Sequence, residues 1–182
     1  MTNIISSLAE HQVIHLKAPY LYMMEETKPI KRSKELSPLS REHHDGLLFS
    51  WKIRQGLGND TPIETLVNYT LWFWTNHMKP HFRDEEKVLV KFLPADNPLV
   101  KQMFIEHAQI RDLILSLDKE PNANALQLLA EFITNHIRFE ERQLFGYVEQ
   151  VLTPEQLSEI FNDLPDEHHC DTAWTDEFWV KK

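Results

Sequence analysis

Hydrophobic side chains recur at helical spacing along four long segments of this chain. In the first segment they form a stripe along one face, made of Leu36, Leu39, Leu47, Ile53 and Leu57. An apolar stripe with a period of about 3.6 residues predicts a helix that buries this face. The segment starts at Ser37-Pro38 and reaches glycines at 56 and 58, which are typical residues for the two ends of a helix.

Three further segments show the same period, and each has a recognisable start. The second begins at Thr61-Pro62-Ile63-Glu64, which has the residues of a capping box, and the third begins at Asn97-Pro98. Pro80 lies inside the second segment and predicts a local kink just before His81. The predicted helices cover residues 61–93, 97–118 and 124–152.

Four long helices joined by short connections predict an all-α, up-down-up-down four-helix bundle over residues 36–152. Residues 1–35 read as an N-terminal extension, and residues 153–182 as a C-terminal short helix and tail. Thr153-Pro154-Glu155-Gln156 opens the short helix as a capping box. The aromatic residues of the tail are expected to fold back as a hydrophobic cover: Trp174, Phe178 and Trp179.

Charge and composition narrow the class of protein. The formal net charge is -9 and no block of Lys or Arg is present, which argues against nucleic-acid binding. Cys170 is the only cysteine, so no internal disulfide can form, and this fits a reducing compartment. No stretch is long and apolar enough for a membrane span and no basic segment starts a signal peptide, so we expect a cytoplasmic protein without a membrane partner.

Polar residues interrupt the apolar stripe at the middle of every predicted helix. A histidine lies there on each helix, and two helices add a glutamate four residues later: His43, His81, Glu85, His107, His136 and Glu140. Residues four apart share one face of a helix, so each His–Glu pair can bind one metal ion. A buried carboxylate costs several kcal/mol unless it is paired, protonated or bound to metal. Six such residues at one level of a bundle therefore predict a metal site.

The types of these side chains restrict the metal. Imidazoles and carboxylates without thiolates suit iron, manganese or zinc. Glu85 and Glu140 come from opposed helices and can each bridge a pair of ions, whereas a single tetrahedral zinc would use only four of the six groups. Ferritin-like bundles hold their ions with Glu-x-x-His pairs, but here the histidine comes first and the spacing is one residue longer.

Several neighbouring residues compete for the ligand role. His44 adjoins His43, but it is rotated by about 100° from the stripe, and we prefer His43. His77 lies one turn before His81 and is either a seventh ligand or a hydrogen-bonding neighbour of the ligands, which we favour. His44 and Glu106 are further residues that could orient a ligand in this way.

Other polar residues are expected to stay in solvent. Glu86 and Glu141 directly follow the two candidate ligand glutamates, but they are rotated out of the apolar stripe. Each lies beside Lys or Arg on its helix, so we expect both to form ion pairs at the surface. His11 and His15 are four apart but lack a third ligand in register. His168-His169-Cys170, with acidic residues nearby, could form a second metal site, but a C-terminal tail lacks the rigid frame that fixes ligand geometry.

Three stretches of the chain resemble the motifs of one known family. They are Ser40-Arg41-Glu42-His43, residues 81–86 (HFRDEE) and residues 136–141 (HIRFEE). Together they resemble the hemerythrin-like family of HHE cation-binding domains over about residues 36–152. The resemblance implies a non-haem centre of two iron ions with an oxo or hydroxo bridge, with Glu85 and Glu140 bridging and histidines on each iron. It also implies that a small ligand such as O₂ or nitric oxide binds there.

The chain departs from the oxygen-carrying members at one position. Those have a second histidine one turn after the third-helix ligand, whereas here Arg111 follows His107 at that distance and cannot ligate. Four histidines favour sensing, scavenging or iron-dependent redox chemistry over reversible O₂ storage. A redox enzyme, an iron donor in iron–sulfur repair, and a structural bundle with an incidental zinc are the alternatives. The sequence shows no obvious pocket for an organic substrate. It contains no motif that identifies a protein partner.

Overall fold

The computed structural model describes residues 31–165 and 173–181, and all of the regular elements in these ranges are helical. The predicted all-α class is therefore confirmed. The α-helices are α1 (Ser37–Gly58), α2 (Ile63–Phe73), α3 (Lys79–Lys87), α4 (Pro98–Lys119), α5 (Ala123–Phe139), α6 (Phe145–Val151) and α7 (Pro154–Asp163). A π-helix at Trp74–Met78 joins α2 to α3, another at Glu140–Leu144 joins α5 to α6, and a 3₁₀-helix follows α3 at Leu89–Phe92.

Side-chain caps fix two of the helix starts where the sequence predicts them. The Asn97 side-chain oxygen accepts a hydrogen bond from the Leu99 N–H at 2.8 Å, at the start of α4. At α7 the capping box forms in full, since the Thr153 hydroxyl accepts from the Gln156 N–H and the Gln156 side chain accepts from the Thr153 N–H. Such caps satisfy N–H groups that have no partner inside the helix.

The capping box predicted at residues 61–64 is wrong. Helix α2 begins at Ile63 after Pro62, without a side-chain cap. The Thr61 hydroxyl instead donates to the carbonyl oxygen of Phe178 at 3.4 Å, because the C-terminal tail packs against the turn between α1 and α2. The tail also forms the predicted aromatic cover, since Phe178 is buried and its ring centre lies 5.1 Å from that of Tyr69.

The irregularity predicted near Pro80 occurs as the π-helix at Trp74–Met78. A π turn places the hydrogen-bond partner five residues away and absorbs an extra residue without breaking the helix. Pro80 follows this π turn inside a continuous helix, where its missing N–H removes one backbone hydrogen bond. The second π-helix, at Glu140–Leu144, was not predicted, and the segment 124–152 was expected to be one regular helix.

Two hydrophobic clusters flank the level of the histidines. The first is built around Phe49, Ile53, Leu66, Phe73, Ile110, Ile114 and Ile133. The second is built around Leu36, Leu39, Leu89, Met103, Phe139, Leu144 and Phe145. Helix α1 enters from the second cluster at Leu39 and reaches the first at Phe49, with His43 between them. Helix α5 passes the clusters in the opposite order, from Ile133 through His136 to Phe139.

One residue of the predicted α1 stripe is on the surface. Leu47 is 40 % exposed, and Gly46 takes the inward position beside it. A Cβ atom on Gly46 would lie 2.8 Å from the Cδ1 atom of Ile137, so the absence of a side chain lets α1 approach α5 closely. The apolar stripe is traced from large hydrophobic side chains, and glycine has none. The pattern therefore predicts Leu47, and not Gly46, as the buried residue.

The N-terminal extension up to residue 30, which includes His11 and His15, lies outside the described residues. The tail motif His168-His169-Cys170 also lies outside them. Within the ranges that are described, none of the helices combines the length and the apolar character that a membrane span requires.

Candidate metal centre

The six residues singled out by the sequence lie in one buried layer between the two clusters. His43 is in the first half of α1, His107 is in α4, and His136 is near the end of α5. His81 and Glu85 face the layer one turn apart on α3, and Glu140 starts the second π-helix. All six residues are at most 7 % exposed.

These residues form two groups that share both carboxylates. The first group is His43, His81, Glu85 and Glu140, and the second replaces the histidines by His107 and His136. In each group the four donor atoms lie within 4.8 Å of one another. Two imidazoles and two carboxylates in such a group are a donor set suited to iron, manganese or zinc.

Each glutamate faces histidines of both groups. Glu85 places Oε1 3.3 Å from His81 Nε2 and Oε2 3.3 Å from His107 Nε2. Glu140 places Oε2 3.1 Å from His43 Nε2 and 3.2 Å from His136 Nε2. A carboxylate in this position can hold two cations together, one from each group.

The buried polar atoms in the middle of the layer are the observation that tests for a metal. Both oxygens of Glu85, both oxygens of Glu140 and Nε2 of His43 have no hydrogen-bond partner among the described residues. Buried polar groups without partners are rare, because each costs about 1–3 kcal/mol and charged ones cost more. Cations placed between these oxygens and imidazole nitrogens would satisfy all five atoms, so the residues present fit a metal pair.

Without metal, these histidines and glutamates change one another's pKa values. Burial disfavours the charged ring of His81, but Glu85 and Glu42 outweigh this and raise its pKa to about 9. Burial also opposes charging of His43 and His107, yet their contacts with the glutamates raise both pKa values well above the ordinary value. Conversely, the nearby histidines lower the pKa of Glu85 and of Glu140 against the effect of burial. In the metal-free layer, protons therefore compete for the same imidazole nitrogens that a metal would use.

A second set of glutamates supports the histidines from outside the layer. The Nδ1 atom of each of the four histidines donates to one of them, over 2.7–2.9 Å: His43 to Glu141, His81 to Glu42, His107 to Glu86 and His136 to Glu106. We call Glu42, Glu86, Glu106 and Glu141 the outer carboxylates. An ionised carboxylate only accepts hydrogen bonds, so each Nδ1 must carry a proton. In a neutral ring, this leaves the Nε2 lone pair directed at the middle of the layer, where a metal would be bound.

The outer carboxylates connect the helices in a closed ring. Glu42 on α1 supports the histidine of α3, and Glu86 on α3 supports that of α4. Glu106 on α4 supports the histidine of α5, and Glu141 on the following π-helix returns to the histidine of α1. Each helical segment of the layer therefore holds one histidine and orients the histidine of the next segment.

The prediction that Glu86 and Glu141 are solvated surface ion pairs is wrong. Their side chains are only 28 % and 16 % exposed and accept from His107 and His43. Glu106 contacts His136 as its predicted orienting role requires, whereas the same contact of Glu42 with His81 was not predicted. A signal was present in the sequence: an acidic residue directly adjoins a ligand candidate on every helix, at 42–43, 85–86, 106–107 and 140–141.

Arg32 extends this network beyond the bundle. Its side chain is 7 % exposed, and its Nε donates to Glu141 at 2.9 Å. Its Nη1 donates to Glu149 at 2.9 Å, and its Nη2 contacts the backbone oxygen of Glu141. The guanidinium also lies 5.3 Å from the ring centre of Phe145, which stacks on His43. Arg32 therefore fixes both the outer carboxylate of His43 and the π-helix that carries Glu140.

Neither of the competing histidines, His44 and His77, belongs to the two groups of donors. His44 is exposed on α1, which supports the choice of His43 as the inward residue. His77 is half-buried and belongs to neither group; its ring lies nearly parallel to that of Phe73 at 4.8 Å. Arg111 is exposed on α4 and likewise belongs to neither group.

A cavity of about 510 Å³ opens beside this layer. It reaches both histidines of the first group and His136 of the second. This corrects the expectation that the protein has no obvious pocket for an organic molecule.

The described residues form helices around a buried layer of four imidazoles and two shared carboxylates, which is the architecture of a helical metal-cation-binding protein. The family model described as the hemerythrin HHE cation binding domain matches residues 39–148. This is more than half of the 182 residues, and the chain belongs to that family. No curated protein and no solved structure matches the chain.

Proposed function

We propose that this protein binds a pair of iron ions in the buried layer and takes up a small ligand, such as O₂ or nitric oxide, at that pair. The single observation that carries the proposal is the set of buried oxygens on Glu85 and Glu140 that lack hydrogen-bond partners while facing four oriented imidazoles. Manganese or zinc can substitute on the same donor set.

The proposed ligands are His43, His81, His107 and His136, with Glu85 and Glu140 shared between the two ions. The contacts of each glutamate with histidines of both groups support this assignment. When bound, the iron pair supplies redox chemistry and positions at which a small ligand can bind. The chain's own residues orient the imidazoles through the outer carboxylates and exclude water with the two hydrophobic clusters.

The fold that we propose for this function is an up-down-up-down four-helix bundle. It is supported by the order in which the helices pass the two clusters, since α1 and α4 run from the second to the first. The joined pairs α2–α3 and α5–α6 run in the opposite direction. We also propose that residues 36–152 form the functional domain and that it works in the cytoplasm on a small ligand, without a nucleic-acid or membrane partner.

An anaerobic titration with Fe²⁺, followed by elemental analysis, tests the proposal. Wild-type protein should retain about two ions per chain, because each shared carboxylate needs an ion on either side. Glu140→Gln should retain fewer, since it removes a charge shared by both ions. Glu64→Gln is the matched control, because Glu64 is exposed in the first turn of α2 and belongs to neither group. Retention of about one ion or none by the wild-type protein would contradict the shared pair.

A second function, a di-iron redox enzyme or an iron donor in iron–sulfur repair, has one specific observation in its favour. The cavity beside the layer is large enough for a molecule other than a diatomic gas. Turnover of a peroxide, or transfer of iron to an apo iron–sulfur protein, by the loaded protein would favour this function over ligand binding alone.

A further inference from the structure

The cavity beside the metal layer is much larger than O₂ or nitric oxide requires. Its volume is about 510 Å³, whereas one water molecule has a share of about 30 Å³ in the liquid. Pockets that bind small organic molecules typically have volumes of about 300–1,000 Å³. The cavity is therefore large enough to hold an occupant with several carbon atoms.

The walls of the cavity are mostly apolar and partly aromatic. Apolar side chains from the π-helix region, α3 and α5 line it, namely Phe73, Met78, Phe82, Ile133 and Ile137. Gly46 adds a stretch of wall without a side chain. Aromatic rings pack favourably against a ring by stacking or by edge-to-face contact, and an apolar wall stabilises a ring by removing it from water.

The polar groups of the cavity identify the other end of the occupant. The histidines of the first group place the proposed metal pair at one side of it, and Arg41 also lines it. The acidic residues that line it are Glu42 and Asp45, but Glu42 is engaged by the Nδ1 of His81, and Asp45 interacts electrostatically with Lys52. An anionic oxygen is the group that a metal pair and a guanidinium both favour.

We propose that this cavity binds a small aromatic carboxylate, with its ring against the apolar walls and its anionic oxygens toward the metal pair. The inference rests on the proposed function, because the metal pair attracts the anionic end. It adds a class of organic ligand that a site for diatomic gases alone does not need.

Binding of two probe anions of different size to the iron-loaded protein tests this inference. Azide is small enough to reach the metal pair without filling the cavity, whereas benzoate carries a ring. Both should change the iron absorption spectrum of wild-type protein, and benzoate should also compete with azide. Titrations followed by absorbance and by calorimetry give the two affinities independently of any catalytic turnover.

Two variants reduce the space for the ring. Ile133→Phe enlarges a wall residue of α5, and His77→Trp enlarges a half-buried residue that lines the cavity and contacts Phe73. The second variant keeps the test valid if overpacking at the buried Ile133 destabilises the fold. The matched control is Leu128→Phe, because Leu128 lies on the same helix but is 41 % exposed.

We expect either cavity variant to weaken benzoate binding at least about tenfold, while azide binding changes less than about twofold and the control binds both anions as the wild type does. If loaded wild-type protein binds azide but not benzoate, the inference is wrong and the proposed function stands. If benzoate binds equally to wild type and both cavity variants, it binds elsewhere and the inference is also wrong. If the protein takes up no iron, the proposed function itself fails.

Discussion

The outer carboxylate Glu86 offers the cleanest test of how the protein orients its metal ligands. It accepts from His107 Nδ1 at 2.9 Å, and its side chain is 28 % exposed. Glu86→Gln keeps an oxygen that can accept the same hydrogen bond but removes the charge. Glu86→Ala removes the acceptor altogether and frees the imidazole to rotate.

The size of the effect follows from the role of such partners in metal sites. Loss of the group that orients a ligating histidine typically lowers metal affinity by about 10–100-fold. Because Glu86 is partly exposed, solvent screens part of its charge, and we place Glu86→Gln at about tenfold. Glu86→Ala should approach about a hundredfold, since geometry is lost as well as charge. Only the group containing His107 should weaken, so one of two ions should be lost first.

Competition with a ferrous chelator under anaerobic conditions measures these affinities. Glu64→Gln, at an exposed position of α2, should follow the wild-type curve. The expected order of affinity is wild type, then Glu86→Gln, then Glu86→Ala. If both Glu86 variants hold iron as tightly as wild type, the closed ring of outer carboxylates has no role in metal binding and the reasoning is refuted.

His43→Ala should weaken or lose one ion in elemental analysis, whereas His44→Ala should keep both; the reverse result would mean that α1 is rotated. Arg32→Gln should change the absorption spectrum of the loaded protein and speed loss of iron from the His43 group, because Glu141 loses its ion pair with Arg32. An unchanged spectrum and rate would show that Arg32 does not affect the metal site. In the metal-free protein the pKa of His81 is raised to about 9, compared with about 6.5 for a free imidazole ring. Protonation of His81 therefore stabilises the folded metal-free protein below about pH 6.5, and this stabilisation is lost as the pH rises toward 9. Metal binding displaces these protons, so thermal melts should show a difference between loaded and metal-free protein that grows from pH 6.5 to 9, and a constant difference would contradict this linkage.

The helices and the level of the histidines could be predicted because they depend on local spacing. An apolar stripe fixes the buried face of a helix, and His43 or His81 is conspicuous as a polar residue within that stripe. The same reasoning placed Glu141 on the surface, because it is rotated by about 100° from Glu140 on an isolated helix. In the folded chain that flank is covered by α1, which brings His43 against it.

Features that depend on packing between helices could not be predicted from spacing. The π-helices shift the period by one residue, and no pattern of apolar residues marks Glu140–Leu144 as one of them. The close approach at Gly46 arises only when α5 supplies Ile137 opposite it. The cavity is likewise a product of how α1, α3 and α5 meet, so it became visible only in three dimensions.

Anomalous diffraction at the iron edge, from crystals of iron-loaded protein, tests the central claim most directly. The account predicts two peaks in the buried layer, both in contact with Glu85 and Glu140. One peak should be flanked by His43 and His81 and the other by His107 and His136. A single peak, or iron bound outside this layer, would contradict the claim that these six residues hold a metal pair.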